Sequence, residues 1–150
     1  MKEKFLEQAR REYSPGTRIK ALMIEGVFFL GVLPATLIYF SPLLDRRLEL
    51  PSMALGMVNT VLGCGLIAGG FLLGWWAVYV QFEIGRGTPV PLMATQQLIV
   101  QKPYSYCRNP MALGTIAAYL GIALLIGSIS AAAVVLTLGA FLLVYIRFFE

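Results

Sequence analysis

The segment MALGMVNTVLGCGLIAGGFLLGWWAVYV, residues 53–80, runs for 28 residues without a charged side chain. As a helix rising 1.5 Å per residue it is about 42 Å long, more than the ~30 Å hydrocarbon core of a bilayer, so it reads as a membrane span with tilt or an interfacial overhang. Three more apolar runs flank it, Ala21 to Phe40, Met111 to Ile126 and Ser130 to Phe149, the second of these near the short limit for a span. The whole chain is 58% hydrophobic and 13% charged, with a mean hydropathy of +0.75, which fits lipid as solvent and not water. The fold class that follows is an all-α membrane protein with four transmembrane helices. Gly127-Ser128-Ile129-Ser130 joins the last two, a connection so short that they must form a tight antiparallel hairpin.

Some 20 polar residues precede the first span, and no convincing cleavage site follows it, so it reads as mature structure and not as a secretory signal. No repeat or low-complexity tract divides residues 1–150, which read as a single transmembrane domain. Orientation comes from the lysines and arginines. Four spans put the N-terminus, the loop 81–110 and the C-terminus on one side, where ten basic residues fall, against Arg46 and Arg47 on the other. That side is cytoplasmic by the positive-inside rule, so both termini and the long loop face the cytosol. The charge balance of +4 is thus a topology signal, and no aromatic-interleaved basic patch argues for nucleic acid.

Within this frame, residues 1–16 read as a short basic surface helix ending at Ser14-Pro15-Gly16. Pro34 predicts a kink in the first span, and Glu25, about one turn inside its cytoplasmic end, is open to a structural or a functional role. Ser41 to Ser52 reads as a polar outer turn. Gly65 to Gly69 and Gly70 to Gly74 are four-residue small-residue spacings that permit close helix approach; Gly114, Ala117, Ala118 and Gly121 give the third span a smooth face for the fourth. Trp75, Trp76 and Tyr79 form an aromatic belt. Without histidine and with only Cys64 and Cys107, the chain has almost no ligands for zinc or iron and no disulfide framework.

Chemistry is expected in the one long polar interval, Gln81 to Gly114, and chiefly in two clusters, Gly85 to Pro91 and Tyr104 to Gly114. Asparagine at 109 is a favoured N-cap and proline at 110 a favoured first helical residue, so the third span starts there. Its N-terminus, with the forked cation of Arg108, predicts an anion site at the membrane surface, although Arg108 as an interfacial anchor and Asn109-Pro110 as a mere cap are equally physical.

Gly-Arg-Gly-Thr-Pro-Val-Pro at 85–91, followed by Lys-Pro-Tyr-Ser-Tyr-Cys-Arg-Asn-Pro-Met at 102–111 with Gly114, resembles the integral-membrane methyltransferases related to isoprenylcysteine carboxyl methyltransferase, including their bacterial relatives. The resemblance covers roughly residues 80–150. It implies S-adenosylmethionine as cofactor, with contacts at Gly87, Tyr104, Tyr106, Arg108, Asn109, Pro110, Gly114 and Glu150, and with Arg108 and Glu150 catalytic. On this reading Arg108 and the helix start hold the cofactor's carboxylate, while Glu150 or the faces of Tyr104 and Tyr106 steady its sulfonium. The acceptor implied is lipophilic, a carboxylate, amine or phenol on a prenyl, phospholipid or quinone-like molecule, in a bacterial cytoplasmic membrane and without a metal. Ala112 replaces a tyrosine common in relatives. Glu150 aligns with the first of a glutamate pair whose second member and following amphipathic segment are absent, so the chain resembles one cut at its C-terminus. Alternatives are an NADPH-dependent membrane reductase of the sterol or steroid type, for which Arg86, Lys102 and Arg108 are few cations, and a non-catalytic membrane fragment.

Overall fold

The computed structural model describes residues 14–53, 55–84 and 99–149. The expected surface helix over residues 1–13, the cluster Gly85 to Pro91 with Gly87, and Glu150 lie outside the described residues. Those described form helices α1 (Pro15–Gly26), α2 (Leu33–Arg47), α3 (Met57–Glu83), α4 (Pro110–Ile126) and α5 (Ile129–Phe149), with no strand among them. α1 and α2 are the two halves of one continuous helix, joined by a wide π turn over Val27–Val32. Gly16–Arg47 and Met57–Glu83 are long and apolar enough to cross a membrane; Pro110–Ile126 and Ile129–Val144 are shorter apolar stretches. Their outward residues, Leu62, Leu72, Leu136, Phe141 and Leu143 among them, are large, apolar and exposed, a surface suited to lipid.

The first helix is longer at both ends than the apolar run suggests. Ser14-Pro15-Gly16 starts it and does not terminate an earlier one: Ser14 is its N-cap, accepting from the Thr17 amide, and Pro15 fills the first turn, where its missing N–H costs nothing. At the far end Ser41 to Arg47, expected as a turn, remains helical. Pro42 forfeits one backbone bond there, while the end is fixed from outside: the Ser130 hydroxyl donates to the Ser41 carbonyl at 2.9 Å and the Ser130 amide to Asp45 Oδ1 at 2.9 Å. The hairpin between α4 and α5 turns on Gly127, left-handed at φ 64°, with Ser128 capping α5 through its hydroxyl and the Ala131 amide.

Pro34 acts through the π turn. Proline cannot donate, and its ring crowds the carbonyl one turn back, so the helix widens just before it. The Leu33 amide bonds the Phe28 carbonyl, five residues back; continuing that pattern, the Phe29 carbonyl would need an amide hydrogen from Pro34, which has none. Tyr119 of α4, 5% exposed, supplies it: its hydroxyl donates to the Phe29 carbonyl at 2.6 Å. A carbonyl orphaned in lipid has no water to turn to, so Tyr119→Phe should lower unfolding stability by about 1–3 kcal/mol, the cost of a buried acceptor left unpaired, in denaturant titrations read by far-UV circular dichroism. An unchanged midpoint would remove this bond from the account. Around Tyr119 the core gathers Leu37, Ala123, Ala131 and Val135.

The closest helix contact joins α3 to α4, and this corrects the expected partner of the third span's small face. A Cβ on Gly70 would lie 2.5 Å from the Gly114 carbonyl oxygen, and one on Gly121 would lie 2.6 Å from that of Gly63. Residues seven apart return to within about 20° of the same helix face, so Gly63 and Gly70 oppose Gly121 and Gly114 in antiparallel register. Of the two expected four-residue spacings, Gly70–Gly74 packs, since a Cβ on Gly114 would meet the Gly70 carbonyl at 2.6 Å and the Gly74 amide nitrogen at 2.8 Å, whereas Gly65 and Gly69 face open space.

Candidate functional site

The clearest candidate is a cavity of about 300 Å³ between α1, α3 and α4. α2 packs onto α4 and α5, whereas no Cα of α1 comes within 8 Å of α3 or α4, so the first helix leans away below its π turn and leaves a gap. The two helices meet again at their ends through Arg18, whose guanidinium lies 4.3 Å over the Phe82 ring and donates to the Phe82 carbonyl. α1 contributes Leu22, Glu25 and Gly26 and the π turn Phe29 and Leu30, together a stripe at helical spacing; α3 contributes Gly70, Phe71, Gly74, Trp75, Val78, Tyr79 and Phe82; α4 contributes Met111, Gly114, Thr115, Ala118 and Tyr119. Trp75 and Tyr79 are largely exposed, so the cavity reaches the outer surface. These two residues, expected only as an interfacial belt, therefore also form a cavity wall. In this mostly apolar lining Glu25 is the one carboxylate, and it is only 5% exposed.

The loop closing onto this region is built as its sequence suggests. Pro103 is fully buried, and Tyr104 reaches from the loop to α3, donating to Gln81 Oε1 at 2.7 Å and lying 3.3 Å from the Ala77 carbonyl. Burial, with Cys107 beside it, pushes the Tyr104 phenol up to about 12, so at neutral pH it stays a hydrogen-bond donor. Asn109 caps α4, its side-chain oxygen accepting from the Ala112 amide at 3.0 Å and its carbonyl from Leu113 at 3.2 Å. With Pro110 lacking a hydrogen, these bonds leave the Met111 amide as the first-turn donor without a partner among the described residues. What the described residues offer an anion at this point is thus narrower than the sequence implies: one amide and the exposed guanidinium of Arg108.

The predicted site residues fall into three groups. Tyr106 and Arg108 are exposed on the loop, with Lys102 Nζ 5.2 Å from the Tyr106 ring centroid. Tyr104, Asn109 and Pro110 are structural in what they touch, tying the loop to α3 or starting α4. Of the described predicted residues, Gly114 alone lines the cavity, and its smallness is already demanded by Gly70, whose carbonyl a Cβ would meet at 2.6 Å. Missed from the sequence were the first-helix residues Leu22, Glu25 and Phe29 as a wall; their 22, 25, 29 spacing is the signal that marks them as one face. Exposed Arg108 with the α4 start fits the carboxylate end of S-adenosylmethionine, a group whose sulfonium supplies an electrophilic methyl when bound.

Searches of curated proteins and of solved structures returned no match to the chain. Against family models the outcome is different. Residues 58–150, α3 through α5 together with the loop, match the model described as phospholipid methyltransferase, and as this is well over half of the sequence, the chain belongs to that family.

Proposed function

We propose that the chain is a four-span membrane enzyme, a single transmembrane domain, that transfers a methyl group from S-adenosylmethionine to a lipophilic acceptor at the cytosolic face. The excess of lysines and arginines in the N-terminal segment, the loop 81–110 and the C-terminus supports placing all three on that face. α4, with 17 residues and about 26 Å of rise, spans in a locally thinned or tilted setting. One observation carries the reading: the apolar cavity begins at Met111 and Gly114, directly behind the loop that bears Arg108, so a lipid-borne acceptor and a soluble cofactor would meet across the start of α4. Membership of a methyltransferase family supports it, and a cofactor with a sulfonium centre needs from the protein mainly alignment in a water-poor place, with no covalent nucleophile.

The test is ligand-dependent stability of the chain in lipid nanodiscs. S-adenosylhomocysteine at about 100 times its dissociation constant should stabilise the fold by about 2.7 kcal/mol, while NADPH leaves it unmoved. Stabilisation by NADPH and not by S-adenosylhomocysteine would replace the methyltransferase with a reductase.

A further inference from the structure

We propose that the groove along α2 binds one anionic phospholipid of the leaflet opposite the loop, with its phosphate on Arg47 and an acyl chain lying between α2 and α5. This goes beyond the methyl-transfer reading and uses only the placement of α2 across a membrane. The groove has a volume of about 450 Å³ and shares no lining residue with the cavity between α1, α3 and α4. Thr36, Phe40, Leu43 and Arg47 recur every three or four residues and so form one face of α2, with Val134 of α5 as the far wall. From Thr36 to Arg47 that face rises about 17 Å, close to half of the ~30 Å hydrocarbon core, which is the depth of one leaflet. Phe40, Leu43 and Val134 are exposed along it, while at the deep end the Thr36 hydroxyl is engaged, donating to the Val32 carbonyl at 2.8 Å. Over its length the groove therefore suits hydrocarbon.

The leaflet follows from the bonds that tie this end of α2 to the hairpin. Ser130 bonds the Ser41 carbonyl and Asp45, and the Met53 amide donates to the Gly127 carbonyl, so Arg47 lies at the hairpin end, a helix length away from Glu83 and Pro110. Arg47 is exposed there and makes no hydrogen bond or ion pair with any described residue. The helix end does not need it, because the Leu48 amide bonds the Leu44 carbonyl and the Leu50 amide the Asp45 carbonyl, each at 2.9 Å. Asp45 is turned to the hairpin, its Oδ1 accepting from the Ser130 amide. A free guanidinium at the mouth of an apolar groove is matched by a phosphate diester with a chain beneath it, and the arginine fork meets two phosphate oxygens at once. Arg46 carries the same charge but does not line the groove, so position singles out Arg47. An anionic headgroup suits the site better than a zwitterionic one, whose own ammonium competes for the phosphate. Lying between α2 and α5, the lipid would reinforce the Ser130 bonds that hold the hairpin to the first helix.

The experiment titrates dioleoylphosphatidylglycerol into the full chain in neutral maltoside micelles and follows the thermal midpoint. Dioleoylglycerol, the chains without the phosphate, and glycerol phosphate, the phosphate without the chains, are titrated in parallel. Phosphatidylglycerol should raise the midpoint and neither fragment should. Arg47→Ala should weaken its apparent affinity by about 10- to 100-fold, as the loss of a charge-assisted bond predicts, and Arg46→Ala by less than about twofold. Val134→Trp, at an exposed wall position, should weaken it as well by filling the groove. No shift with phosphatidylglycerol overturns the proposal, as does an equal shift from either fragment or equal weakening by Arg46→Ala and Arg47→Ala, which is diffuse surface charge. Should Arg47→Ala fail to fold, unchanged affinity in Val134→Trp overturns it alone. S-adenosylhomocysteine should stabilise Arg47→Ala as it does the unaltered chain, so failure of this site and failure of the methyl-transfer reading are read separately.

Discussion

Gly70→Ala should destabilise the fold by about 3 kcal/mol, whereas Gly69→Ala, one residue away, should be neutral or stabilise by up to about 1 kcal/mol. The contrast follows from what each new methyl meets. At Gly70 it would lie 2.5 Å from the Gly114 carbonyl oxygen and 2.5 Å from the Ala118 amide nitrogen, backbone atoms of α4 that can move only if the helix does. At Gly69 nothing lies within 4 Å, so only the helix propensity gained over glycine remains. In lipid there is no hydrophobic force between helices to compensate a lost fit; close packing is itself what holds α3 to α4. Gly121→Ala, 2.6 Å from the Gly63 carbonyl, should repeat the loss, and because both pairs lie on one interface the double variant should cost less than the sum once the helices have separated. Denaturant midpoints in one detergent would measure all four. Equal stability of Gly70→Ala and Gly69→Ala would break the α3–α4 register described above. Since Gly70, Gly74 and Gly114 also line the cavity, Gly70→Ala should weaken ligand-induced stabilisation as well.

The same glycines show what a sequence can and cannot specify. The spans, the Asn109-Pro110 start of α4 and the short hairpin at Gly127 depend on neighbours within a turn or two, and residue type and spacing reveal them. Which glycines pack depends on the partner's register: Gly65–Gly69 and Gly70–Gly74 share the familiar spacing, but only the second pair, with Gly63 about two turns earlier, meets α4. Pro34 announces a defect in the first helix, but the carbonyl it orphans is recovered by Tyr119, 90 residues away, and no local pattern marks that pairing. The site divides similarly. A polar loop between apolar spans is visible at once, whereas the cavity behind it is assembled from three helices, one of them standing off by the tilt below its π turn. Glu25 is therefore ambiguous in one dimension, near enough to an interface to reach water; in three it is enclosed by the cavity wall.

Arg108→Ala should reduce affinity for S-adenosylhomocysteine by about 10- to 100-fold, which is the loss of one charge-assisted bond worth about 1.5–3 kcal/mol. Its own stability cost should be small, because the guanidinium is exposed and, among the described residues, no hydrogen bond from it supports α4. That separation makes the residue a clean probe of the cofactor's carboxylate. The control is methylthioadenosine, which keeps the nucleoside and the thioether but has no amino-acid end: its affinity should be the same for Arg108→Ala as for the unaltered chain. Arg108→Lys keeps the charge and loses the fork, so it should recover only part of the difference. A carboxylate bound there would have two partners, the guanidinium and the Met111 amide left over after Asn109 has capped α4 and Pro110 has withheld a donor. With Arg108 gone, one amide and the remaining helix-end charge cannot hold a solvated carboxylate tightly. If Arg108→Ala weakens both ligands alike, the residue orders the loop and touches no carboxylate; if it weakens neither, Arg108 is an anchor at the membrane surface and the anion site is elsewhere on the loop.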